Sequence, residues 1–489
     1  MKQGNALPPG GKAATMALDY VETGADFADA VPERVSATTA LPEGITSRML
    51  YNDVVRIAWP SLVELTLAQL ASMVDMMMVG QLGAWALSSV GLTTQPKFLL
   101  MTMFMSLNVG ATAMVARYKG SGNPEKANLI LRQALSLTLV FSLLASLAGY
   151  IFAEPLIRFM GAADAQTLQG GVEYLRIQMI GFVFMALTST ATATLRGVGN
   201  SRTAMVYNMI SNVVNVIFNY ILIYGHFGFP RMEVAGASLA TILGQFVAFV
   251  LAMTALLSGR NYLQLRLRDG FRPDMEAIGQ IVKIGLPAMV EQLVMRAGMI
   301  IYSKTVASLG TVAYATHQVC MNIQALSFMI GQAFAVSATS LMGQSLGKKR
   351  PDMAQFYTSR TRRIGMVVSV FIALLFFFLG RSIVAMYTPD PDIIQQGGTI
   401  MQLMAFSLTL QSSQFILAGA LRGAGDTRAT AVISFVTVLL VRPAFAMFAI
   451  HVLDWGLMGA WVAMLVDQVL RSGLVLLRYN SGKWKAVKV

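Results

Sequence analysis

Long apolar segments, separated by short polar stretches, dominate the chain from about residue 54 onward. Several of them, such as Leu135–Phe152, approach the roughly 20 residues that a helix needs to cross about 30 Å of hydrocarbon. The pattern therefore predicts twelve membrane-spanning helices. They are expected at about residues 54–80, 88–116, 128–153, 171–195, 203–224, 235–258, 278–308, 312–344, 358–386, 397–421, 429–451 and 457–479.

The first 47 residues have a different character from the rest of the chain. They mix Gly, Pro, Thr and Ala with six acidic residues, and they contain no long apolar stretch. A signal peptide would need a basic start, an apolar core and a small-residue cleavage site. We therefore predict a disordered cytoplasmic tail over residues 1–47.

The two halves of the apolar region repeat each other in sequence. Ile57–Glu64 returns 227 residues later as Ile284–Glu291, and Leu195–Arg202 has a matching copy in the second half that begins at Leu421. Each half holds six predicted spans, an even number, so both halves should cross in the same direction and be related by an axis along the membrane normal. This arrangement favours a substrate route between two lobes, although a duplicated structural or channel scaffold would give the same repeat.

The sequence thus predicts an all-α polytopic membrane protein with twelve transmembrane helices in two six-helix lobes, related by a parallel internal repeat. The predicted regions are the tail 1–47, an N-terminal lobe 48–258, a cytoplasmic linker 259–276, a C-terminal lobe 277–480 and a basic cytoplasmic tail 481–489.

Positive charge is concentrated in every second loop. The loops after predicted spans two, four, six, eight and ten are rich in Lys and Arg, whereas the alternate loops offer only Arg158, Arg231 and Arg381. Basic loops usually stay in the cytoplasm. We therefore expect both termini to be cytoplasmic and the protein to lie in a bacterial inner membrane.

Composition agrees with a membrane protein and excludes a soluble enzyme. Hydrophobic residues make up 55% of the chain and charged residues 12%, about half the charged share of soluble proteins. The net charge of +13 fits loops beside anionic lipid better than nucleic acid. The single cysteine, Cys320, the three scattered histidines and the lack of a phosphate-binding glycine motif predict no enzymatic activity, no metal site and no cofactor.

Two carboxylates lie inside the first predicted span. Glu64 and Asp75 are eleven residues apart, and eleven steps of about 100° bring both side chains to one face of the helix. An ionisable group in the membrane needs a partner, a water-filled cavity or a function. We predict that both residues take part in cation coupling, Asp75 foremost, with a pair of buried acids bonded to neighbouring helices as the alternative.

An asparagine stripe runs along the fifth predicted span. Its members follow helical spacing and offer amide groups that could ligate a cation or hold a protonated carboxyl, although packing between helices would also use them. The matching helix in the second half lacks the stripe, and Asp75 corresponds there to Tyr302, so the chemistry should concentrate in the first lobe. The stripe consists of Asn208, Asn212, Asn215 and Asn219, of which Asn215 and Asn219 are assigned to cation coupling.

Other polar and helix-breaking residues complete the candidate site. Pro60 in the first span could act as a hinge upstream of Asp75, although a static kink is the alternative. Arg296 in the seventh span should need an acid, for which Asp467 is the candidate. The substrate cavity is expected to involve Asn212, Glu291, Gln292, Asn322 and Gln411.

The chain resembles the multidrug and toxic compound extrusion (MATE) family of cation-coupled antiporters. The resemblance covers about residues 50–480. It rests on the order and duplication of several motifs. These are Ala58-Trp-Pro60, Met73-Val-Asp-Met-Met-Met-Val-Gly80, Val109-Gly-Ala-Thr112, Gly120-Ser-Gly-Asn-Pro-Glu-Lys-Ala127, Leu195-Arg-Gly-Val-Gly-Asn200 and the run Asn212–Ile223.

Membership would imply two lobes forming a V and export of cationic, amphiphilic compounds in exchange for protons or sodium ions. Asp75 matches the first-helix aspartate of the family, and Asn215 and Asn219 match its fifth-helix polar pair. Where some members carry a sodium site in the second lobe, this chain has Met295 and Gln411, so the resemblance implies coupling through Asp75. A lipid or oligosaccharide flippase of related architecture is the rival. We expect small-molecule substrates, contact with membrane lipid, no nucleic-acid partner and a monomer.

Overall fold

The structure, a computed structural model, describes residues 41–42, 44–162 and 164–487. Most of the predicted tail 1–47 lies outside the described residues. The described chain holds twelve helices long and apolar enough to cross a membrane, which confirms the predicted all-α fold with twelve spans. They are α1 (Ser47–Gly80), α2 (Ala84–Gly120), α3 (Pro124–Ile151), α4 (Ala165–Gly197), α5 (Ser201–Tyr224), α6 (Glu233–Leu257), α7 (Met275–Ala307), α8 (Thr311–Gly347), α9 (Pro351–Ala385), α10 (Pro391–Gly423), α11 (Thr427–His451) and α12 (Gly456–Asn480).

Several helices begin earlier than the apolar pattern predicted, because their first turns are polar. Asn123 accepts a hydrogen bond from the backbone N–H of Lys126 at 3.0 Å, ahead of α3. Asp164 does the same for Thr167 at 2.7 Å, ahead of α4. Such a side-chain oxygen satisfies one of the free N–H groups at a helix start, so the helices extend beyond their apolar cores into polar surroundings.

The loops that follow α2, α4, α6, α8 and α10 gather at one end of the bundle, which we call the basic end. Asn200, between α4 and α5, donates to Asn261, after α6, at 2.8 Å. Arg478, near the end of α12, donates to Asp426, between α10 and α11, at 2.8 Å. The beginning of α1 and the end of α12 therefore lie at this end as well.

The two lobes, α1–α6 and α7–α12, are joined at the basic end by shared hydrophobic clusters. One cluster of the first lobe takes in Ile281 and Ile284 of α7. A cluster of the second lobe takes in Val54 and Ile57 of α1. Towards the opposite end, each hydrophobic cluster draws its residues from a single lobe. Hydrophobic clusters are thus shared between the lobes at the basic end and confined to one lobe towards the other end.

Glycines allow the backbones of the two lobes to touch at this junction. A Cβ atom on Gly110 of α2 would lie 2.3 Å from the carbonyl oxygen of Ile281 in α7. Near the ends of α2 and α8, a Cβ on Gly120 would lie 2.0 Å from the Gln344 oxygen, and one on Gly347 would lie 2.0 Å from the Arg117 oxygen. The last two contacts are related by the internal repeat, so the helices cross symmetrically.

The eleventh helix departs from its first-lobe counterpart. Residues Phe435–Val441 of α11 form a π-helical segment, after which the α-helix resumes at Arg442. A π segment shifts the side chains that follow it around the helix axis and often marks a functional site. Here it lies next to the only stretch of α11 that carries a buried charge, Arg442.

The described part of the predicted basic tail 481–489 packs against the bundle. Lys483–Ala486 form a short 3-10 helix in which Trp484 is buried. Its ring stacks on Tyr479 of α12, with the centroids 5.5 Å apart, and the Val487 carbonyl accepts from Arg117 of α2 at 3.3 Å. This segment therefore connects the two lobes at the basic end.

Candidate functional site

Asp75 lies at the centre of a polar site formed by α1, α5 and α6. The Asn219 amide donates to its Oδ1. In the orientation that satisfies both polar atoms of the Asn215 amide, its nitrogen donates to Asp75 Oδ1 and Oδ2 at 3.0 and 3.1 Å, and its oxygen accepts from the Thr241 N–H at 3.2 Å. The structure thus brings together Asp75, Asn215 and Asn219, three of the four residues that the sequence assigns to cation coupling.

A chain of hydrogen bonds continues on the α4 and α6 side of the same lobe. The Ser238 hydroxyl donates to the Tyr174 carbonyl at 2.8 Å. The Gln178 amide nitrogen donates to the Ser238 carbonyl at 3.3 Å. On the other side of that amide, the Lys97 ammonium of α2 donates to Gln178 Oε1 at 3.3 Å. The interior of the first lobe is therefore polar from α1 across to α2.

Lys97 is a residue that the sequence reasoning missed. Its ammonium is within electrostatic reach of the Asp75 carboxylate. The signal was present in the sequence, since Lys97 interrupts an otherwise uncharged apolar span and a charge at such a place is a functional candidate by itself. The first lobe therefore holds a lysine ammonium, bonded to Gln178, that acts on Asp75 through its charge.

Glu64 does not join the Asp75 site. Eleven residues separate the two along about 16 Å of helix. The Glu64 carboxylate forms an ion pair with Arg196 of α4 at 2.7 Å and accepts from the Asn208 amide at 2.6 Å. The asparagine stripe is thus divided between two acids. Asn208 bonds to Glu64, and Asn215 and Asn219 bond to Asp75. Asn212 lies between them and is half-buried.

The second lobe repeats the Glu64 arrangement. Glu291 of α7 pairs with Arg422 of α10 at 2.7 Å and accepts from the hydroxyls of Thr430 and Ser434 of α11 at 3.0 and 3.3 Å. Glu291 and Arg422 are the repeat counterparts of Glu64 and Arg196. Each lobe therefore holds one ion pair that ties its first helix to its fourth.

The other residues expected at a substrate cavity are spread over the second lobe. Glu291 is only 4% exposed, Gln292 is half-buried and Asn322 is exposed. Gln411 is buried beside a small internal cavity that Ser412 and Phe415 also line. The structure does not gather these residues, or Asn212 of the first lobe, into one site.

The predicted pairing of Arg296 with Asp467 is wrong. The Arg296 guanidinium lies 4.2 Å from the centre of the Phe98 ring of α2, where a cation–π contact compensates part of its lost hydration. Asp467 is held instead by Arg442 and by Arg471, the latter at 3.0 Å. The pairing failed because the π segment of α11, which the apolar pattern does not reveal, places Arg442 beside α12.

Pro60 lies where α1 changes its surroundings. The helix continues through Pro60 from Ser47 to Gly80. Before Pro60, Ile57 and Ala58 pack into the cluster of the second lobe, whereas Asp75 beyond it faces α5 of the first lobe. Because proline removes one backbone hydrogen bond, α1 has a weakened turn between its two sets of contacts.

Comparison with known proteins assigns the chain to a family. The profile of the family described as MatE matches residues 60–221 and 287–448, one match in each half of the repeat. The probable multidrug resistance protein NorM of Thermotoga maritima is 28% identical over 88% of this chain and 93% of its own length. The multidrug resistance protein PmpM of Pseudomonas aeruginosa is 27% identical over 88% of this chain and 91% of its own length.

Solved structures share the fold at lower identity. A multidrug resistance MATE family transporter of the MOP superfamily, in an outward-facing conformation, superimposes with a TM-score of 0.82 at 20% identity, over 92% of this chain and 99% of the other. A MOP superfamily transporter from Pyrococcus furiosus gives the same TM-score, identity and coverage. These likenesses support the two-lobe arrangement.

Proposed function

This chain belongs to the MatE family of multi-pass membrane transporters, and we propose that it exports cationic or amphiphilic compounds in exchange for protons. The observation that carries the proposal is the Asp75 carboxylate, held inside the first lobe by the amides of Asn215 and Asn219. An ionisable side chain inside a membrane span is costly and usually marks an ion or proton pathway.

The groups around Asp75 favour a proton over a sodium ion. A metal cation would need several oxygen ligands, yet both asparagines present N–H groups to the carboxylate. The only charged side chain that acts on Asp75 among the described residues of this site is the Lys97 ammonium, which would repel a second cation. A proton needs no ligand shell, and protonation leaves the neutral carboxyl free to donate or accept.

Alternating access supplies the transport cycle. In the described chain, the lobes share hydrophobic clusters at the basic end, whereas each cluster towards the opposite end belongs to one lobe. This arrangement supports an interior that opens to one side of the membrane. Because basic loops are usually cytoplasmic, we place the open side outside the cell and both termini in the cytoplasm of a bacterial inner membrane. Each charge moved down a 100 mV potential supplies about 2.3 kcal/mol.

The substrates are inferred from chemistry and from relatives. The NorM and PmpM relatives are described as multidrug resistance proteins. In the first lobe, protonation and release of the proton at Asp75 can reshape the cavity in which a substrate binds, while the methionine-rich end of α1, including Met76 and Met77, offers adaptable apolar contacts. We propose that the working unit is a monomer whose partners are such small molecules and the surrounding lipid, with no bound cofactor.

Transport by the purified full chain in proteoliposomes tests this proposal. An imposed proton gradient should drive movement of ethidium, and a sodium gradient of the same size should not. Asp75→Asn should abolish the response to the proton gradient. Glu154→Gln, at an exposed acid paired with Arg158, is the matched control and should keep it. Drive by sodium alone, or unchanged proton-driven transport by Asp75→Asn, would overturn the proposal.

A further inference from the structure

We propose that the second lobe holds a binding site for a small monovalent anion at Arg442, Gln468 and Arg471. The anion is chloride or the carboxylate of a bound compound, which share the same chemistry of recognition by guanidinium N–H groups. The site is separate from the Asp75 site of the first lobe, and its occupancy can be measured without any transport.

The first argument is an imbalance of buried charge. Asp467 is fully buried, and the side chains of Arg442 and Arg471 are 5% and 6% exposed. Both arginines pair with the same oxygen, Oδ2 of Asp467, so one carboxylate faces two guanidinium groups. An uncompensated charge in the interior of a membrane protein is strongly unfavourable, and an anion would restore the balance.

The nearest other acid does not supply the missing charge. Glu291 acts electrostatically on Arg471, but its carboxylate is bound by Arg422 at 2.7 Å and by Thr430 at 3.0 Å. The Glu291–Arg422 pair and the Asp467 cluster together contain three arginines, Arg422, Arg442 and Arg471, and two carboxylates. The second lobe therefore carries one buried positive charge in excess over these five residues.

The second argument is a set of buried donors that form no hydrogen bond to any described residue, beside an Asp467 carboxylate whose Oδ1 is not used either. Within the described chain, the buried Nε of Arg471 and Nε2 of Gln468 have no hydrogen-bond partner. Nη1 of Arg471 faces only the sulfur of Met295, at 3.7 Å, and a thioether is a weak acceptor. Gln468 and Arg471 are bonded to each other at 3.1 Å, so these unused donors lie side by side on α12.

The third argument is the place of the cluster in the repeat. Tyr302 of α7 corresponds to Asp75 of α1, and the Arg442 guanidinium lies 5.7 Å from the centre of the Tyr302 ring. At this depth the first lobe holds Asp75 bound by neutral amides, whereas the second lobe holds two arginines against the single carboxylate of Asp467. The second lobe therefore has a local excess of positive charge next to Tyr302, which fits an anion.

Thermal unfolding of the purified full chain measures this binding. The protein is kept at constant ionic strength in gluconate, a bulky anion, and titrated with chloride or with acetate. A ligand that binds only the folded state raises Tm in a saturable way. We expect such a rise for the wild type with at least one of the two anions. Saturation by chloride alone identifies a resident inorganic ion, and saturation by acetate identifies a carboxylate site.

Variants separate the site from general salt effects. Arg471→Gln removes the excess charge and should abolish the dependence on anions, while its Tm in gluconate should be no lower than that of the wild type. Arg471→Lys keeps the charge and should keep a weaker dependence. Arg381→Gln, at an exposed arginine of α9, should respond as the wild type does. A wild type indifferent to both anions, or an Arg471→Gln variant that responds fully, would overturn the proposal.

Discussion

Arg196 of α4 lies 2.7 Å from the Glu64 carboxylate of α1, and both side chains are largely buried. The pair ties the first and fourth helices of its lobe, and the internal repeat places Arg422 and Glu291 in the same relation in the other lobe. Removing one partner of such a buried pair is expected to leave an uncompensated charge.

Glu64→Gln should therefore destabilise the protein by about 3–5 kcal/mol, the usual cost of breaking a buried ion pair. The measurement is the free energy of unfolding in detergent. Glu154→Gln breaks the exposed pair with Arg158 and should change it by less than about 1 kcal/mol. Equal losses of unfolding free energy in the two variants would show that the Glu64–Arg196 pair stabilises the protein no more than the exposed pair does.

Asn219→Ala should move the pH dependence of transport. The Asn219 amide donates to the ionised Asp75 carboxylate and so favours its charged form. Without that bond, a proton should bind Asp75 more readily, and the midpoint of the pH profile should rise by about one pH unit, which is the size of one hydrogen bond to a charged group. Gln402→Ala, at an exposed side chain of α10, should leave the midpoint where it is.

Lys97→Gln should admit sodium to the first lobe. Removing the ammonium that acts on Asp75 lowers the electrostatic cost of a second cation there. Binding of radioactive sodium to the purified protein should be absent in the wild type and appear in Lys97→Gln. It should be lost again when Asp75→Asn is added. Lys304→Gln, at an exposed lysine of α7, serves as the control, and sodium binding by the wild type would contradict the prediction.

Gly110→Leu should force the lobes apart at the basic end. Any side chain at this position meets the Ile281 carbonyl oxygen. A cysteine introduced at the fully buried Ser340, in a background with Cys320→Ala, should then react with a maleimide that it resists in the parent protein. Gly279→Leu has open space around its Cβ and should leave Ser340→Cys protected. Continued protection in Gly110→Leu would mean that the junction adapts without opening.

The fold followed closely from the sequence because its signals are long and repeated. Twelve apolar runs and the 227-residue offset sufficed for the spans and for two lobes of six helices. Helical spacing also placed Asn215 and Asn219 on one face of α5, while their association with Asp75 came from the family resemblance. The structure brings all three together.

The remaining features of the site depend on contacts between helices, which the spacing of residues along one helix does not predict. The same spacing argument predicted that Glu64 acts together with Asp75. In the structure, Glu64 instead forms an ion pair with Arg196 of α4. The pairing of Asp467 with Arg442 depends on the π segment of α11. This local irregularity changes the direction in which the Arg442 side chain leaves the helix. The contribution of Lys97 depends on its bond to Gln178 of α4, a contact between helices that the apolar pattern does not contain.

The paired glycine contacts near the ends of α2 and α8 form one close crossing of the two lobes. A Cβ on Gly347 would lie 2.0 Å from the Arg117 oxygen and 2.9 Å from the Cα of Gly120, so both contacts lie at the same place. A side chain at either glycine would meet the backbone of the other helix there. The crossing therefore depends on both copies of the repeat keeping glycine at this position.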